Sequence, residues 1–341
     1  MQTRLGITKS ALLGGFVVIG AVAAGIAAFV FMDRAESLGP QYAYDLTKYA
    51  VIDPALLLYQ PHGAAIPTGL KQSHAIAIAP NGKCWIAGDK KIVELNTDGS
   101  YGRAIECAVA PTCLTFDAGG LLYVGLTDHV AVFDAEGKPA AEWEGPQPNA
   151  LLTSLAAAGD DVFAADAANK VVWHWRKDGT LAADIGRKDP DRNIPGFIIP
   201  SPYFDVAIAP DGLLRVVDSG RHLIEAYTFD GHREWWWGTA SVSLEGFSGC
   251  CNPVNIAILP NGNLIACEKG LVRVKEYAPD GTFVGVIAGP QQLNWTGPLQ
   301  VCLKPEDCQT KGFDIAVDAS GRVYVLDTVQ NVVRIFEKKA P

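Results

Sequence analysis

The sequence predicts an all-β protein, a six-bladed β-propeller of the repeat type, preceded by one N-terminal transmembrane helix. A glycine turn, an acidic strand end and a second glycine recur at one spacing, as Gly212, Asp218 and Gly231 illustrate. Between these residues lie short runs of apolar and β-branched residues, separated by Pro-Asn-Gly or Pro-Asp-Gly turns that suit hairpins. Self-similarity over about 40 residues indicates a repeat architecture, and four antiparallel strands per repeat form a propeller blade.

The first element of the chain is an uncharged apolar segment at residues 11–32. As a helix, its 22 residues would span roughly 30 Å, the thickness of the hydrocarbon core of a bilayer. Arg4 and Lys9 precede the segment, so residues 1–10 are predicted to stay in the cytoplasm and the propeller to lie outside it, in the periplasm of a bacterium. A cleaved signal peptide is the competing interpretation, although its apolar region is normally shorter.

A spacer at residues 33–72 follows, and the propeller is predicted to occupy residues 73–341. The last repeat has only three strands, and the segment ALLLY at 55–59 is the candidate for the missing outer strand, which would close the ring and remove an exposed sheet edge. Six copies of the repeat are predicted at about residues 73–106, 107–146, 149–187, 203–238, 253–289 and 312–337.

The best repeats resemble those of the NHL-repeat family of six-bladed propellers. Residues 314–336 match the pattern acid-I-A-V-x-x-x-G-x-V-Y-V-x-D almost position for position, and residues 205–231 and 255–281 match it well. The resemblance implies the fold, but it does not imply one function, because related propellers include scaffolds, receptors, lactonases and lyases.

Two rings of residues, all but one of them polar, are predicted to meet on one surface, where each inner strand begins and each second strand ends; we call it the top face. The first ring contains Ala75, Asp205, Asn255 and Asp314, and the second contains Asp166, Asp218, Glu268 and Asp327. His222 and the connections 187–202, 239–252 and 290–311 belong to the same face, which is therefore the predicted binding surface. The alternative for the acids is structural, because carboxylates often hold turns by accepting backbone N–H bonds.

Calcium is the cation that part of the ring could hold. Calcium prefers six to eight oxygen ligands, and Asp205, Asn255, Glu268 and Asp314 are the candidate set. The family resemblance supports the same idea, since calcium-dependent lactonase-like propellers use a ring of Glu, Asn and Asp.

The eight cysteines form an even set in a chain predicted to be exported, which favours disulfides. A vicinal disulfide between the adjacent Cys250 and Cys251 would need a strained turn, so pairing with other cysteines is favoured. A thiolate metal site and buried thiols are the remaining alternatives. The disulfide candidates are Cys107, Cys113, Cys250, Cys251, Cys302 and Cys308.

Two main functions remain open from the sequence, and a redox or metal-handling role through the cysteine-rich loops is a third, minor possibility. The net charge of −9 disfavours nucleic-acid binding, and no G-x-S-x-G, H-E-x-x-H or phosphate-loop motif is present. The favoured function is non-enzymatic and needs no cofactor: a membrane-anchored propeller whose broad top face binds a partner protein or ligand, such as an accessory subunit of a membrane complex. The alternative is a calcium-dependent hydrolase (lactonase) or lyase with a narrow axial pocket for a small organic substrate.

Overall fold

A computed structural model describes residues 46–297, 299 and 312–340. The segment 11–32, predicted as a membrane anchor, lies outside the described residues. Within the described ranges, no helix has the length and apolar character that crossing a bilayer requires.

The regular secondary structure of the described residues consists of β-strands and two short 3₁₀ segments at Thr47–Tyr49 and Pro54–Leu56. The strands are β1 Tyr59–Pro61, β2 Ile66–Pro67, β3 Ser73–Ile78, β4 Cys84–Gly88, β5 Lys91–Leu95, β6 Tyr101–Glu106, β7 Cys113–Phe116, β8 Leu122–Gly125, β9 Val130–Phe133, β10 Pro139–Trp143, β11 Leu152–Ala158, β12 Asp161–Asp166, β13 Val171–Arg176, β14 Leu181–Ile185, β15 Val206–Ile208, β16 Leu214–Asp218, β17 Leu223–Tyr227, β18 Arg233–Trp237, β19 Asn255–Ile258, β20 Leu264–Glu268, β21 Arg273–Tyr277, β22 Phe283–Ala288, β23 Phe313–Val317, β24 Val323–Asp327 and β25 Val332–Lys338.

These strands form six antiparallel sheets, which confirms the predicted six-bladed propeller. Blades 1 to 5 are β3–β6, β7–β10, β11–β14, β15–β18 and β19–β22, each in sequential order, and blade 6 is β23–β24–β25–β1 with β2 also paired to β25. The first strands of consecutive blades contact one another in turn, and β23 contacts β3, so the first strands line the axis and the ring is closed.

The ring closes through the segment before the first repeat, but the strand differs from the predicted 55–59. Residues Pro54–Leu56 form a 3₁₀ turn, and the outer strand β1 begins only at Tyr59, opposite Lys338 of β25. Leu58 instead donates its N–H to the carbonyl of Val286 in blade 5, at 3.0 Å. The segment therefore ties blade 5 to blade 6 before it becomes a strand.

The core consists of apolar clusters, one at each of the six interfaces between neighbouring blades. Second strands are covered on both faces, so β4, β16 and β20 are buried along their whole length. Burial on both faces explains why the apolar residues of these strands occur in runs and do not simply alternate with polar residues. The hairpin turns use glycine where the backbone has positive φ, as at Gly212 (φ 78°) and Gly231 (φ 86°).

The predicted disulfide bonds are not formed among the six cysteines that the structure describes. Cys113 is buried on β7 opposite Gly125, and its Sγ lies 2.5 Å from where a Cβ on Gly125 would stand. The thiol thus fills space that the missing side chain leaves, and burial raises the pKa of Cys113 to about 12. Cys107 follows the edge strand β6, while Cys302 and Cys308 lie outside the described residues.

Candidate functional site

The top face has a cavity of about 460 Å³ at the propeller axis, which we call the axial pocket. All six blades, or the residues just before their first strands, contribute to it. Its walls include the apolar Pro202, Phe204 and Phe313, together with the ring of Tyr203. Its polar lining includes His74, Thr112, Thr153, Asn255, Asp314 and Thr328.

His74 is the imidazole of the axial pocket. Its Nδ1 lies 2.9 Å from the carbonyl oxygen of Pro111, at the start of blade 2. A carbonyl oxygen only accepts hydrogen bonds, so Nδ1 carries the proton in the neutral ring. The Nε2 lone pair is therefore left as a base.

Four other neutral polar side chains of the pocket also direct a donor at a backbone carbonyl. The donor–acceptor pairs are Thr112 Oγ1 to Gly125 O at 3.1 Å, Thr153 Oγ1 to Phe204 O at 2.6 Å, Thr328 Oγ1 to Gly312 O at 2.8 Å and Asn255 Nδ2 to Phe313 O at 2.5 Å. What the threonines retain for a ligand is lone pairs on oxygen, and Asn255 retains its amide oxygen together with one N–H. The axial pocket therefore suits a ligand that is rich in hydrogen-bond donors or carries positive charge.

Asp314 adds a carboxylate to this acceptor-rich lining. Its Oδ2 accepts a hydrogen bond from the N–H of Ile76 at 2.8 Å, and its Oδ1 accepts one from Ile315 at 2.9 Å. Burial, with a contribution from the charge of Asp205, raises the pKa of Asp314 to about 7. The group thus changes its charge close to neutral pH.

Asp205 lies in a narrower channel of about 180 Å³, which Asp314 also lines. Its carboxylate accepts hydrogen bonds from Val206 at 2.8 Å and from Ile256 of the next blade at 2.5 Å. Burial raises the pKa of Asp205 to about 6. Asp205, Asn255 and Asp314 thus line the two cavities, and each also joins its blade to the next one.

The second ring of acids does not line the axial pocket. Asp166 is fully buried and accepts hydrogen bonds from the backbone N–H of Leu151 at 3.0 Å and Asn169 at 3.1 Å. Asp327 accepts from Val329 and Gln330 in the turn that follows it, at 2.9 and 2.8 Å. Asp218 is arranged similarly and accepts from Ile198 at 3.1 Å, as well as from Arg221. These contacts match the structural alternative, in which the acids hold turns and connections.

Glu268 is a correction to the predicted calcium set. Its Oε2 lies 2.6 Å from Arg273 Nε and 2.9 Å from Lys275 Nζ, and all three side chains are buried. Burial alone would raise the pKa of Glu268, but the charges of Lys275 and Arg273 outweigh it and lower the pKa. Glu268 therefore does not lie with Asp205, Asn255 and Asp314 at the axial cavities. Among the residues the structure describes, no three His, Cys, Asp or Glu side chains form a group that could hold a metal ion.

His222 also lies away from the axial pocket. It is buried, with a positive φ of 59°, after the end of β16. Burial lowers its pKa, against the backbone of Asn252 and the charge of Glu268, which favour the charged ring. Its position makes it part of the packing between blades 4 and 5.

The sequence interpretation missed His74, and a β-bulge explains why. The pairing of β3 with β4 shifts register between Ser73 and Ala75, so His74 is the extra residue. The pairing of β11 with β12 shifts likewise around Thr153. Bulges redirect side chains next to functional sites, and no turn residue or spacing in the sequence marks these two.

Comparisons with known proteins support the fold. No family model matches the chain, and no curated protein matches its sequence. Among solved structures, a virginiamycin B lyase from Staphylococcus aureus is 13% identical with a TM-score of 0.53, covering 78% of this chain and 80% of that one. A streptogramin B lyase is 13% identical with a TM-score of 0.55, covering 84% and 100%. A gluconolactonase from Xanthomonas campestris is 15% identical with a TM-score of 0.56, covering 82% and 99%.

The chain shares their fold. At these identities the likeness extends no further than the arrangement of the blades.

Proposed function

We propose that the protein is an enzyme, a hydrolase or lyase that acts on a small, donor-rich organic substrate in the axial pocket. The observation that carries this proposal is the direction of the polar side chains: His74, Thr153 and Asn255 donate to backbone carbonyls and present lone pairs to the cavity. The similarity of the fold to lyases and a gluconolactonase supports an enzyme over a binding protein.

In this proposal His74 Nε2 is the general base. It takes a proton either from water that attacks an ester or lactone carbonyl, or from a carbon next to a carbonyl group in an elimination. The hydrogen bond to Pro111 fixes the tautomer and holds the ring. The apolar walls formed by Phe204 and Phe313 exclude water around the reacting group.

Tyr203 supplies a donor in the same pocket. Burial raises the pKa of its phenol well above the ordinary value, so the hydroxyl stays protonated. A neutral hydroxyl that donates to a carbonyl oxygen stabilises the negative charge that develops there in the transition state. The proposed substrate therefore has a carbonyl near Tyr203 and hydroxyl or amino groups facing Thr153 and Asn255.

Binding of calcium in the axial pocket is a separate proposal. The acceptor-rich pocket suits a cation as well as an organic donor, but Glu268 is held by Arg273 and Lys275 and does not fit the predicted ligand set. No catalytic step proposed for His74 depends on the metal.

Binding without chemistry is the second candidate, and the rim of the top face favours it. The connection 187–202 reaches the pocket through Pro202 and exposes 46% of Ile198, an apolar side chain suited to a protein contact. We further propose that the repeats are of the NHL type, and that residues 11–32 anchor the propeller on the outer, periplasmic side of a membrane.

Proton release tests the enzymatic proposal. The full chain in detergent is incubated with a panel of lactones and cyclic esters that includes D-glucono-1,5-lactone, and acid production is followed in a weakly buffered solution. Opening of a substrate by the wild type but not by His74→Gln supports the proposal. A chain that binds members of the panel and opens none of them favours the binding function.

A further inference from the structure

Two adjacent cysteines in the connection 239–252 lie together on the top face, between blades 4 and 5. The Sγ atoms of Cys250 and Cys251 are 3.4 Å apart, and both are thiols. Cys250 is exposed, whereas Cys251 has only 2% of its surface accessible. One residue of the pair is thus exposed and the other is buried.

Lys269 lies beside the buried thiol. Its side chain is itself buried, hydrogen-bonds to Cys251 and lies 3.4 Å from Ser201 Oγ. An ammonium group next to a thiol stabilises the thiolate, which is the nucleophilic form. The same Nζ lies 4.1 Å from the centre of the Tyr203 ring, which forms a wall of the axial pocket.

The backbone around the pair is held by Asn252. Its Nδ2 donates to the carbonyls of Ser248 at 2.6 Å and Lys269 at 2.9 Å, and its Oδ1 accepts from the N–H of Lys269 at 2.9 Å. Asn252 is 2% exposed, so these bonds are protected from water. The backbone that carries the two cysteines is therefore tied to the backbone of Lys269.

We propose that Cys250 and Cys251 are a reversible redox pair that a small disulfide oxidises to a vicinal disulfide. Adjacent Cα atoms are about 3.8 Å apart, whereas ordinary disulfides join Cα atoms at about 4.4–6.8 Å. The bond between neighbours is therefore strained, and strained or exposed disulfides are the ones that are easily reduced again. The pair suits a switch better than a structural bridge, which differs from the pairing with distant cysteines that the sequence favoured.

The chemistry is two successive thiol–disulfide exchanges. The Cys250 thiolate attacks one sulfur of the small disulfide, the S–S bond of that molecule breaks, and one thiolate leaves. The Cys251 thiolate then attacks Sγ of Cys250, and the second thiolate leaves. The protein loses two electrons and two protons, the small disulfide gains both electrons, and the protons end on its two thiols.

The pair of cysteines lies near the proposed site but does not line it. Lys269 contacts both Cys251 and Tyr203, and Tyr203 lines the axial pocket. The inference does not depend on the enzymatic function, because thiol exchange can be measured without any substrate.

Mass spectrometry of the full chain tests the pair. The protein is equilibrated in glutathione buffers from fully reduced to fully oxidised, trapped with an alkylating agent and digested. We expect the peptide with Cys250 and Cys251 to lose two hydrogen atoms and its alkylation together, and to regain both on reduction. Two persistent thiols in fully oxidised glutathione, or a bridge from either residue to another cysteine, would overturn the proposal.

Variants separate the two roles. In Cys251→Ser the attack by Cys250 cannot be resolved, so a mixed disulfide with glutathione accumulates at Cys250. Cys107→Ser, which removes a half-buried thiol elsewhere, leaves the behaviour of the pair unchanged. Lys269→Met slows oxidation about three- to tenfold at neutral pH and moves the rate profile to higher pH; an unchanged profile contradicts the part assigned to Lys269.

Discussion

The Nδ1 atom of His74 donates a hydrogen bond to the carbonyl oxygen of Pro111, 2.9 Å away, across the interface between blades 1 and 2. One contact thus joins two blades, fixes the tautomer of the ring and leaves Nε2 as a base in the axial pocket.

Replacement of His74 separates chemistry from binding. His74→Gln keeps a side-chain donor for Pro111 but has no basic nitrogen, so kcat/KM falls about 10²- to 10⁴-fold, as expected for loss of a general base, while the Kd of a non-reacting analogue rises by no more than about tenfold, the cost of one hydrogen bond. Steady-state kinetics and calorimetry measure the two quantities. The matched control is His62→Gln, since His62 is exposed and pairs with Glu337 of β25. Equal losses in both variants would remove His74 from the mechanism.

The free energy of unfolding is predicted to depend on pH through the carboxyl group of Asp314. Its pKa is raised from 3.8 to about 7 in the folded chain, so the folded state holds a proton that the unfolded state releases between these values. The stabilisation by this proton is fully present below pH 4 and is lost as pH rises through about 7, on the order of 4 kcal/mol in all.

Asp314→Asn removes that component. Asparagine does not titrate, so the fall in the free energy of unfolding between pH 5 and pH 8 is smaller in the variant, and urea unfolding at the two values measures it. The contribution of Asp205, which has the same sign, remains in both proteins. The variant also loses one backbone acceptor at all pH values, at a cost of about 1 kcal/mol. The same pH dependence in wild type and variant would contradict the assignment to Asp314.

Glu268 is predicted to be structural. Glu268→Gln leaves the ammonium of Lys275 and the guanidinium of Arg273 buried without their counter-charge, so the free energy of unfolding falls by about 3–5 kcal/mol. The control is Asp184→Asn, which breaks an exposed pair with Arg187 and changes stability by less than about 1 kcal/mol. If Glu268 instead bound calcium, Glu268→Gln would abolish stoichiometric calcium binding and leave the metal-free stability nearly unchanged.

Closure of the ring predicts the effect of a shorter chain. Tyr59 pairs with Lys338 and its hydroxyl lies 3.0 Å from Glu276 Oε2, so β1 covers the edge strand β25 and joins it to blade 5. Removal of residues 1–62 exposes that edge, which lowers the thermal midpoint and promotes association through β25. Calorimetry and light scattering test this against a chain that begins at residue 46. A monomer with the same thermal midpoint would contradict the proposed role of β1.

The apolar segment predicts where the protein is found. A chain with residues 11–32 stays with the membrane fraction after an alkaline wash, whereas a chain that begins at residue 46 is released. Protease added outside the inner membrane digests loops of the anchored propeller. If expression of the full-length gene yields a soluble protein that lacks its first residues, the result would support the cleaved signal peptide instead.

The repeat determined the fold prediction because its glycines and strand ends carry conformational information. Turns need a positive φ, as at Gly212 and Gly231, and strand ends use an acid such as Asp218. Both are local requirements, so the sequence shows them directly. One further contact was available from the same hairpin register: Arg273 lies opposite Glu268, and such a cross-strand pair argues against a free metal ligand.

The chemistry of the axial pocket could not be predicted from the sequence because it depends on contacts between blades. His74 reaches the axis through a bulge, and its partner Pro111 is 37 residues away in the sequence. The contact between Cys250 and Cys251 likewise depends on a connection held by Asn252 and Lys269, whose conformation no repeat specifies. Such irregular positions deviate from the repeat, so the repeat gives no information about them.

The most direct test of the account compares two lactones of the same ring size. D-Glucono-1,5-lactone carries hydroxyl donors, and δ-valerolactone has none. Because Thr153, Thr328 and Asn255 present acceptors to the axial pocket, we expect kcat/KM for the hydroxylated lactone to be at least about 10²-fold higher. Equal rates, or faster opening of δ-valerolactone, would contradict an acceptor-lined catalytic pocket.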